Sequence, residues 1–331
     1  MTTAARRITL IGDIFADLTL ALPFYPREGG DVTANALAWT SGGTGVNAAV
    51  TYAMLQCDVR LLGRIGTDPA AAVALRAAHH AAIDMGGIQI DTLHPTGTCV
   101  VELTDGGRRT LLAHRGANMF YTLDAISYQA LNSSDMLHIS AYTLLGGPQR
   151  TAMLRAIALV EQQQIPIVLD LATGPTALQR DTIFQLLPRL SLLMMNDEEF
   201  GLLCPDQSLD DGLHHLHEYG ARHIVIKQGA AGCMISTGDT RLDVAPPSVQ
   251  VVDTNGCGDA FGAAYAWATL SGAPPERSAT LANLFGALTS TRVGAAEAVP
   301  TFPELLHHAA ADVREWLQTT TDYRTEEPLA L

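Results

Sequence analysis

Basic side chains are scarce in this sequence, where 20 Lys and Arg face 34 Asp and Glu across 331 residues and leave a formal charge of −14. No basic stripe is available to neutralise a nucleic-acid backbone, so that class of partner is excluded and the surplus acids serve solubility. Paired cysteines are missing as well. The five present, Cys57, Cys99, Cys204, Cys233 and Cys257, contain no C-x-x-C and leave one unmatched. A disulfide framework and a zinc site are both unexpected, and a reduced cytoplasmic protein is expected. No apolar run reaches the roughly 18 residues of a membrane span. Asp13 and Asp17 break the N-terminal run that could pass for a signal peptide. Internal repeats and low-complexity linkers are absent. So is the G-x-G-x-x-G that a dinucleotide-binding domain would place directly after the first strand, Arg7 to Gly12, which argues against an NAD enzyme.

With 47% hydrophobic and 16% charged residues, the chain can bury a large core. Short apolar runs alternate with helix-length segments: strand Met136–Ile139, helix Pro148–Gln163, strand Ile165–Leu169, a helix near Thr182–Leu187, strand Leu190–Met194 and helix Asp197–Leu203. This βαβ rhythm predicts a mostly parallel sheet with helices on both faces. Two stretches depart from it. Segments of about 15–40 and 97–115 read as short strands broken by Pro and Gly, the second folded back at Asp105-Gly106-Gly107, and predict a separate small sheet. Residues 1–318 are expected to form one domain, and 319–331, with Glu326-Glu327-Pro328, a loosely held tail.

The chemistry concentrates in two glycine clusters. A strand expected at Val249–Val252 leads into the stretch Val251 to Phe261, which continues as a glycine turn and a helix start. Gly256 and Gly258 let the backbone turn tightly and present successive N–H groups, aided by the positive end of the helix, so the turn suits an anion. Asp259 is an odd occupant of such a turn unless it accepts a proton where negative charge gathers; a plain N-capping role is the alternative. Cys257 lies within the turn, where a helix start can lower a thiol pKa, although small-residue packing also explains it. The second cluster, Ser41 to Val50, opens another helix, and Asn47 there offers an amide to hydroxyls. Asp68 reads as a structural cap, and adjacent His79 and His80 point too far apart to chelate.

Gly42-Gly43-x-Gly45-x-Asn47-x-Ala49 and Asp253-Thr254-x-Gly256-x-Gly258-Asp259 together resemble the two signatures of the ribokinase-like (PfkB) carbohydrate kinase family, over nearly the whole chain. The resemblance implies a three-layer α/β/α sandwich with a mostly parallel central sheet and a β lid that covers a sugar and supplies a homodimer contact. It implies phosphorylation of a sugar hydroxyl by ATP with Mg²⁺, Asp259 acting as general base and Gly256, Cys257 and Gly258 as anion hole. Asp17, Gly42, Gly43 and Asn47 would contact the acceptor. Asn196, Lys227, Gly229, Gly232 and Asn283 would border ATP, with Asn196 and Glu199, from the N-x-x-E motif, holding Mg²⁺ mainly through water. A monovalent cation, potassium, would sit near Asp253 and the segment Arg292 to Glu297. Phe15 and Ser140-Ala141-Tyr142 depart from the ribokinase pattern, which brings a nucleoside acceptor into view. A non-catalytic sensor on the same fold is a third reading.

Overall fold

The computed structural model describes residues 5–104, 108–238 and 240–321. The turn Asp105-Gly106-Gly107 and the tail beyond residue 321 lie outside the described residues. The chain opens with β1 (Arg7–Ile11), β2 (Phe15–Ala21), β3 (Ala36–Gly42), α1 (Thr44–Met54), β4 (Asp58–Ile65), α2 (Ala70–His80) and β5 (Ile88–Ile90). It continues with β6 (Gly97–Thr104), β7 (Arg108–His114), α3 (Ala125–Asn132), β8 (Met136–Ser140), α4 (Gly147–Gln162), β9 (Ile167–Asp170), α5 (Thr173–Leu178) and α6 (Arg180–Leu186). Then come β10 (Leu192–Asn196), α7 (Asp197–Leu203), α8 (Leu209–Glu218), β11 (Ile224–Lys227), β12 (Cys233–Ser236) and β13 (Arg241–Val244). Four helices close the chain: α9 (Cys257–Leu270), α10 (Pro275–Thr289), α11 (Phe302–His308) and α12 (Ala311–Thr320).

Nine strands form the central sheet in the order β13-β12-β11-β10-β9-β8-β1-β4-β5. All neighbours from β5 to β11 pair in parallel, whereas the β11–β12 and β12–β13 pairs are antiparallel, so that β12 alone runs against the other eight strands. Burial on both faces follows from side-chain alternation along each strand. Ile8, Leu10, Val168, Leu192, Met194 and Val225 enter one core. Their immediate neighbours Ile11, Ile167, Leu169, Leu193, Met195 and Ile224 enter the other. Helices α1, α2, α9 and α10 cover the first core, while α3, α4, α6, α7 and α8 cover the second, giving the expected three layers.

The small sheet has the order β3-β2-β6-β7. Its outer pairs are antiparallel and the central β2–β6 pair is parallel. One expectation needs correction. No strand forms at Val249–Val252, because Pro246 and Pro247 precede it, no strand among the described residues lies beside it, and Val251 and Val252 are 46% and 39% exposed. The helix expected near Thr182–Leu187 forms as α6, and a further short helix, α5, precedes it. Asp68 does hold the start of α2, accepting from the Ala70 N–H at 3.0 Å, and its other oxygen accepts from the Thr96 N–H at 2.7 Å.

Leu10, buried in the first core, is expected to cost about 2–5 kcal/mol when changed to Ala. Leu93→Ala, at an 86% exposed position, should stay within about 0.5 kcal/mol of the parent. Urea unfolding midpoints of the two variants check the assignment, and equal shifts would contradict it.

Candidate active site

The carboxyl ends of the parallel strands set a row of polar side chains along one edge of the sheet. Ser140 pairs in register with Asp170, and Asn196 with Lys227. This edge is where parallel α/β sheets carry their ligands. Helix α9 starts above it. Gly256, at φ +73°, turns the chain into the helix, and a Cβ there would come within 2.9 Å of the Ala295 backbone. Only glycine fits such a position without strain.

Asp259 lies in the first turn of α9 but does not cap it. Its Oδ2 instead accepts a 2.7 Å hydrogen bond from Nδ2 of Asn47, 212 residues away on α1. The two glycine clusters therefore meet through these side chains. Loss of water around the Asp259 carboxyl pushes its pKa up to about 6, the Asn47 bond and the charges of Lys227 and Arg109 opposing the shift while Asp170 adds to it.

Asp17 stands on β2, buried and facing the same space. Its Oδ2 accepts from Nδ2 of Asn255 at 3.1 Å, and Oδ1 has no hydrogen-bond partner among the described residues. Burial raises its pKa to about 7, with Glu297, Asp259 and Asp253 contributing in the same direction. Gly42 is glycine because a Cβ there would overlap the Asp17 carboxylate at 2.0–2.5 Å. Gly43, at φ +87°, lies against the Asp13 carbonyl. Asn47 Oδ1 likewise has no partner among the described residues. A buried acceptor without a donor is costly unless something supplies one, so this cluster is suited to a ligand rich in hydroxyl groups.

Across the turn lies a cavity of about 430 Å³ lined by Gly229, Gly232, Val249, Phe261, Asn283 and Ala287, among others. Gly232, at φ +95°, packs against the Val244 carbonyl, while Gly229 faces open space. Asn283 donates to the Val244 carbonyl at 2.9 Å and so fixes the rim. Lys227 is the only lysine in the sequence. Its Nζ pairs with Asp170 Oδ1 at 2.6 Å and lies 3.6 Å from where a Cβ on Gly258 would be. Although burial works against its charge, Asp170 and Glu199 together hold its pKa above the usual lysine value.

Asn196 and Glu199 form a capping box on α7: Asn196 Oδ1 accepts from the Glu199 N–H and Glu199 Oε2 from the Asn196 N–H, both at 2.8 Å. Among the described residues, no group of three His, Cys, Asp or Glu is close enough to ligate a metal directly. That arrangement suits Mg²⁺ that keeps most of its water, with the buried Glu199 as one anionic anchor. Asp253 is fully buried, with Oδ1 accepting from the Asn255 N–H and Oδ2 from the Gly294 N–H. It ties the glycine turn to the segment 292–297. Burial pushes the Cys257 thiol up to about 12, with the charge of Arg109 opposing the shift, in keeping with small-residue packing at this position.

Several site residues escaped the sequence. Asp170 closes an apolar strand, the one local signal that could have found it. Asn255, Arg109 and the Asp13–Arg115 pair depend on distant partners. Asp13 receives two bonds from Arg115, at 2.7 and 2.8 Å, and one from Gln149 at 3.2 Å. Tyr142 lies within reach of the charges of Asp13 and Asp259, and the Phe15 ring packs where a Cβ on Gly97 would be.

The model of the pfkB family carbohydrate kinases matches residues 5–302. An ATP-dependent ribose-1-phosphate kinase from Halopiger xanaduensis is 27% identical over 88% of this chain and 94% of its own. A ribokinase from Bacillus subtilis is 27% identical over 91% and 98%. Among solved structures, Arabidopsis thaliana ribokinase complexed with ribose and ATP superposes with a TM-score of 0.78 at 22% identity, covering 92% of this chain and 98% of that one. A Burkholderia thailandensis nucleoside kinase in complex with inosine gives 0.74 at 19%, covering 96% and 99%.

The raised pKa of Asp17 has a consequence for stability. Its folded value of about 7 exceeds the ordinary 3.8, so ionisation is penalised progressively between those values and the fold is weakened most above pH 7. Asp17→Asn is expected to raise the urea midpoint at pH 8, the unfolding free energy increasing by at most on the order of 4 kcal/mol at ~1.36 kcal/mol per unit, and to leave it unchanged near pH 3.5. An unaltered midpoint at pH 8 would contradict the buried charge.

Proposed function

This chain belongs to the pfkB family of carbohydrate kinases, and we propose that it moves the γ-phosphoryl group of ATP onto a hydroxyl of a small sugar, with Asp259 as the base. The observation that carries this reading is the Asn47–Asp259 hydrogen bond, which joins the acceptor cluster to the anion-binding turn. Asp17 and Asn47, with Gly42 and Gly43 allowing close approach, hold acceptor hydroxyls through the carboxylate and amide oxygens left without partners. As the acceptor O–H bond breaks, its proton passes to Asp259. The oxygen's electron pair forms the new O–P bond, and the bond from phosphorus to the bridging oxygen breaks with its pair left on ADP. Backbone N–H groups at Gly256, Cys257 and Gly258 stabilise the phosphoryl oxygens.

ATP would occupy the cavity lined by Lys227, Gly229, Gly232 and Asn283, with its phosphates toward Lys227 and the neighbouring strand end Asn196. Glu199 with Asn196 would hold Mg²⁺ mainly through water, and the bound ion would neutralise charge on the phosphates. A monovalent cation would sit beside Asp253 and the segment 292–297, where the Asp253 side chain accepts from the Gly294 N–H and holds that backbone in place. The small sheet serves as a lid over residues of the single domain 1–318, and its outward residues Leu37, Trp39 and Leu112 suit a homodimer contact. A nucleoside acceptor is the second reading, favoured by Phe15 and Tyr142, whose rings can flank a flat base. A sensor would need neither the base nor the metal anchor.

A coupled ADP-release assay over sugars, sugar phosphates and nucleosides tests these readings. Turnover is expected with one of the sugars, and its complete absence over the panel would sink the kinase reading. With the best acceptor, Asp259→Asn should lower kcat by about 10²–10⁴ while retaining ATP binding. In the parent, kcat/KM should fall as pH drops through about 6, because the protonated carboxyl cannot accept a second proton. Replacing K⁺ by Na⁺ at fixed Mg·ATP should reduce turnover; equal rates in both salts would remove the cation from the scheme.

A further inference from the structure

Phosphoryl transfer brings negative charge into a centre that already holds Asp17, Asp170, Glu199 and Asp259 in buried or half-buried positions. Cations must meet it. Two that face this centre are committed to carboxylates, Lys227 to Asp170 and Arg115 to Asp13. A third is not. Arg109 of β7 hydrogen-bonds through Nη1 to the hydroxyl of Thr254, a neutral partner, and among the described residues it forms no ion pair. A guanidinium carries five N–H donors in a planar fork, and this contact uses one.

The position of Arg109 follows from strand register. Asp17 pairs with Cys99 across β2 and β6, and alternate residues of β6, Cys99, Val101 and Leu103, are buried. Leu103 in turn pairs with Arg109 on β7. Arg109 therefore shares the inward face of the small sheet with Asp17, while Arg108 occupies the opposite face. Its partner Thr254 belongs to the glycine turn. Thr254 borders the 430 Å³ cavity next to Cys257 and Gly258, and it also borders the open cleft of about 960 Å³ beneath the sheet's tip, where Arg109 and Glu198 lie. The charge of Arg109 reaches this far, opposing the upward pKa shifts of both Asp259 and Cys257.

We infer that Arg109 is a catalytic residue carried by the small sheet, its guanidinium exchanging the Thr254 hydroxyl for the oxygens of the phosphoryl group in transit. This deepens the kinase reading and rests on it. The hydroxyl holds the arginine beside the turn without neutralising it, so the incoming phosphate gains a charged donor and forfeits no buried ion pair. Arrival of phosphate and closure of the sheet then favour each other.

Two measurements test it. Without any acceptor, isothermal titration of the parent with Mg·ADP and with Mg·AMP-PNP, a non-hydrolysable ATP analogue, should show a preference for the analogue. Arg109→Met should lose about 10-fold or more of that preference, Arg109→Lys should lose part of it because a point charge replaces the fork, and Arg108→Met should keep it. With the best acceptor, Arg109→Met should lower kcat by about 10²–10³ with little change in the acceptor KM. An undiminished preference for the analogue in Arg109→Met, or a loss confined to acceptor KM, would overturn the assignment. If the parent phosphorylates nothing in the acceptor panel, the kinase reading fails on its own, and the nucleotide titrations still decide whether Arg109 meets the third phosphate.

Discussion

Negative charge kept from water is the constraint around which this site is arranged. Most of its carboxylates have an answer close by. Asp13 meets Arg115, Asp170 meets Lys227, Asp253 meets two backbone N–H groups, and Glu297 meets the Ser41 N–H and Arg76. Two have less. Asp17 and Asp259 each receive a side-chain amide and, among the described residues, no cation within bonding distance, burial raises both above the ordinary carboxylate range, and they are the pair to which we assign the acceptor. Incomplete compensation weakens the fold, and proteins keep such sites where activity requires them.

The sheet makes this concentration tolerable. Its strands carry apolar side chains on both faces, so two cores grip each strand and fix where it ends. Asp170, Asn196 and Lys227 are strand-terminal residues, held by ladders that extend back into the sheet. The lone lysine illustrates the point. Elsewhere the chain uses arginine for its cations, yet beside Gly258, paired with the buried Asp170, it has a compact ammonium on an apolar stem.

Much of this was legible in the amino-acid order because it is local. The glycine clusters, the alternation of apolar runs and the Asn196-to-Glu199 spacing all act within one turn or one strand, and α7 begins and ends where the pattern places it. Val249 to Val252 misled for the same reason: its β-branched residues favour a strand, but a strand needs a neighbour, and pairing is decided far away in the chain. Arg109, Asn255 and Asp170 were hidden because their importance lies in what they touch, across separations of 145, 238 and 57 residues.

The attachment of the small sheet carries a mechanical consequence. The chain enters it at Phe15, leaves at Gly42, re-enters at Gly97 and leaves at His114, and the register sets all four points at one end. Only three residues separate β1 from β2 and one separates β3 from α1. The sheet is thus a cantilever, clamped along the edge that bears Asp17 and Gly42, and its free margin near Leu103 and Arg109 sweeps the longest arc for a given swing. In such a swing, groups at the pivot would stay in place while those at the margin would travel.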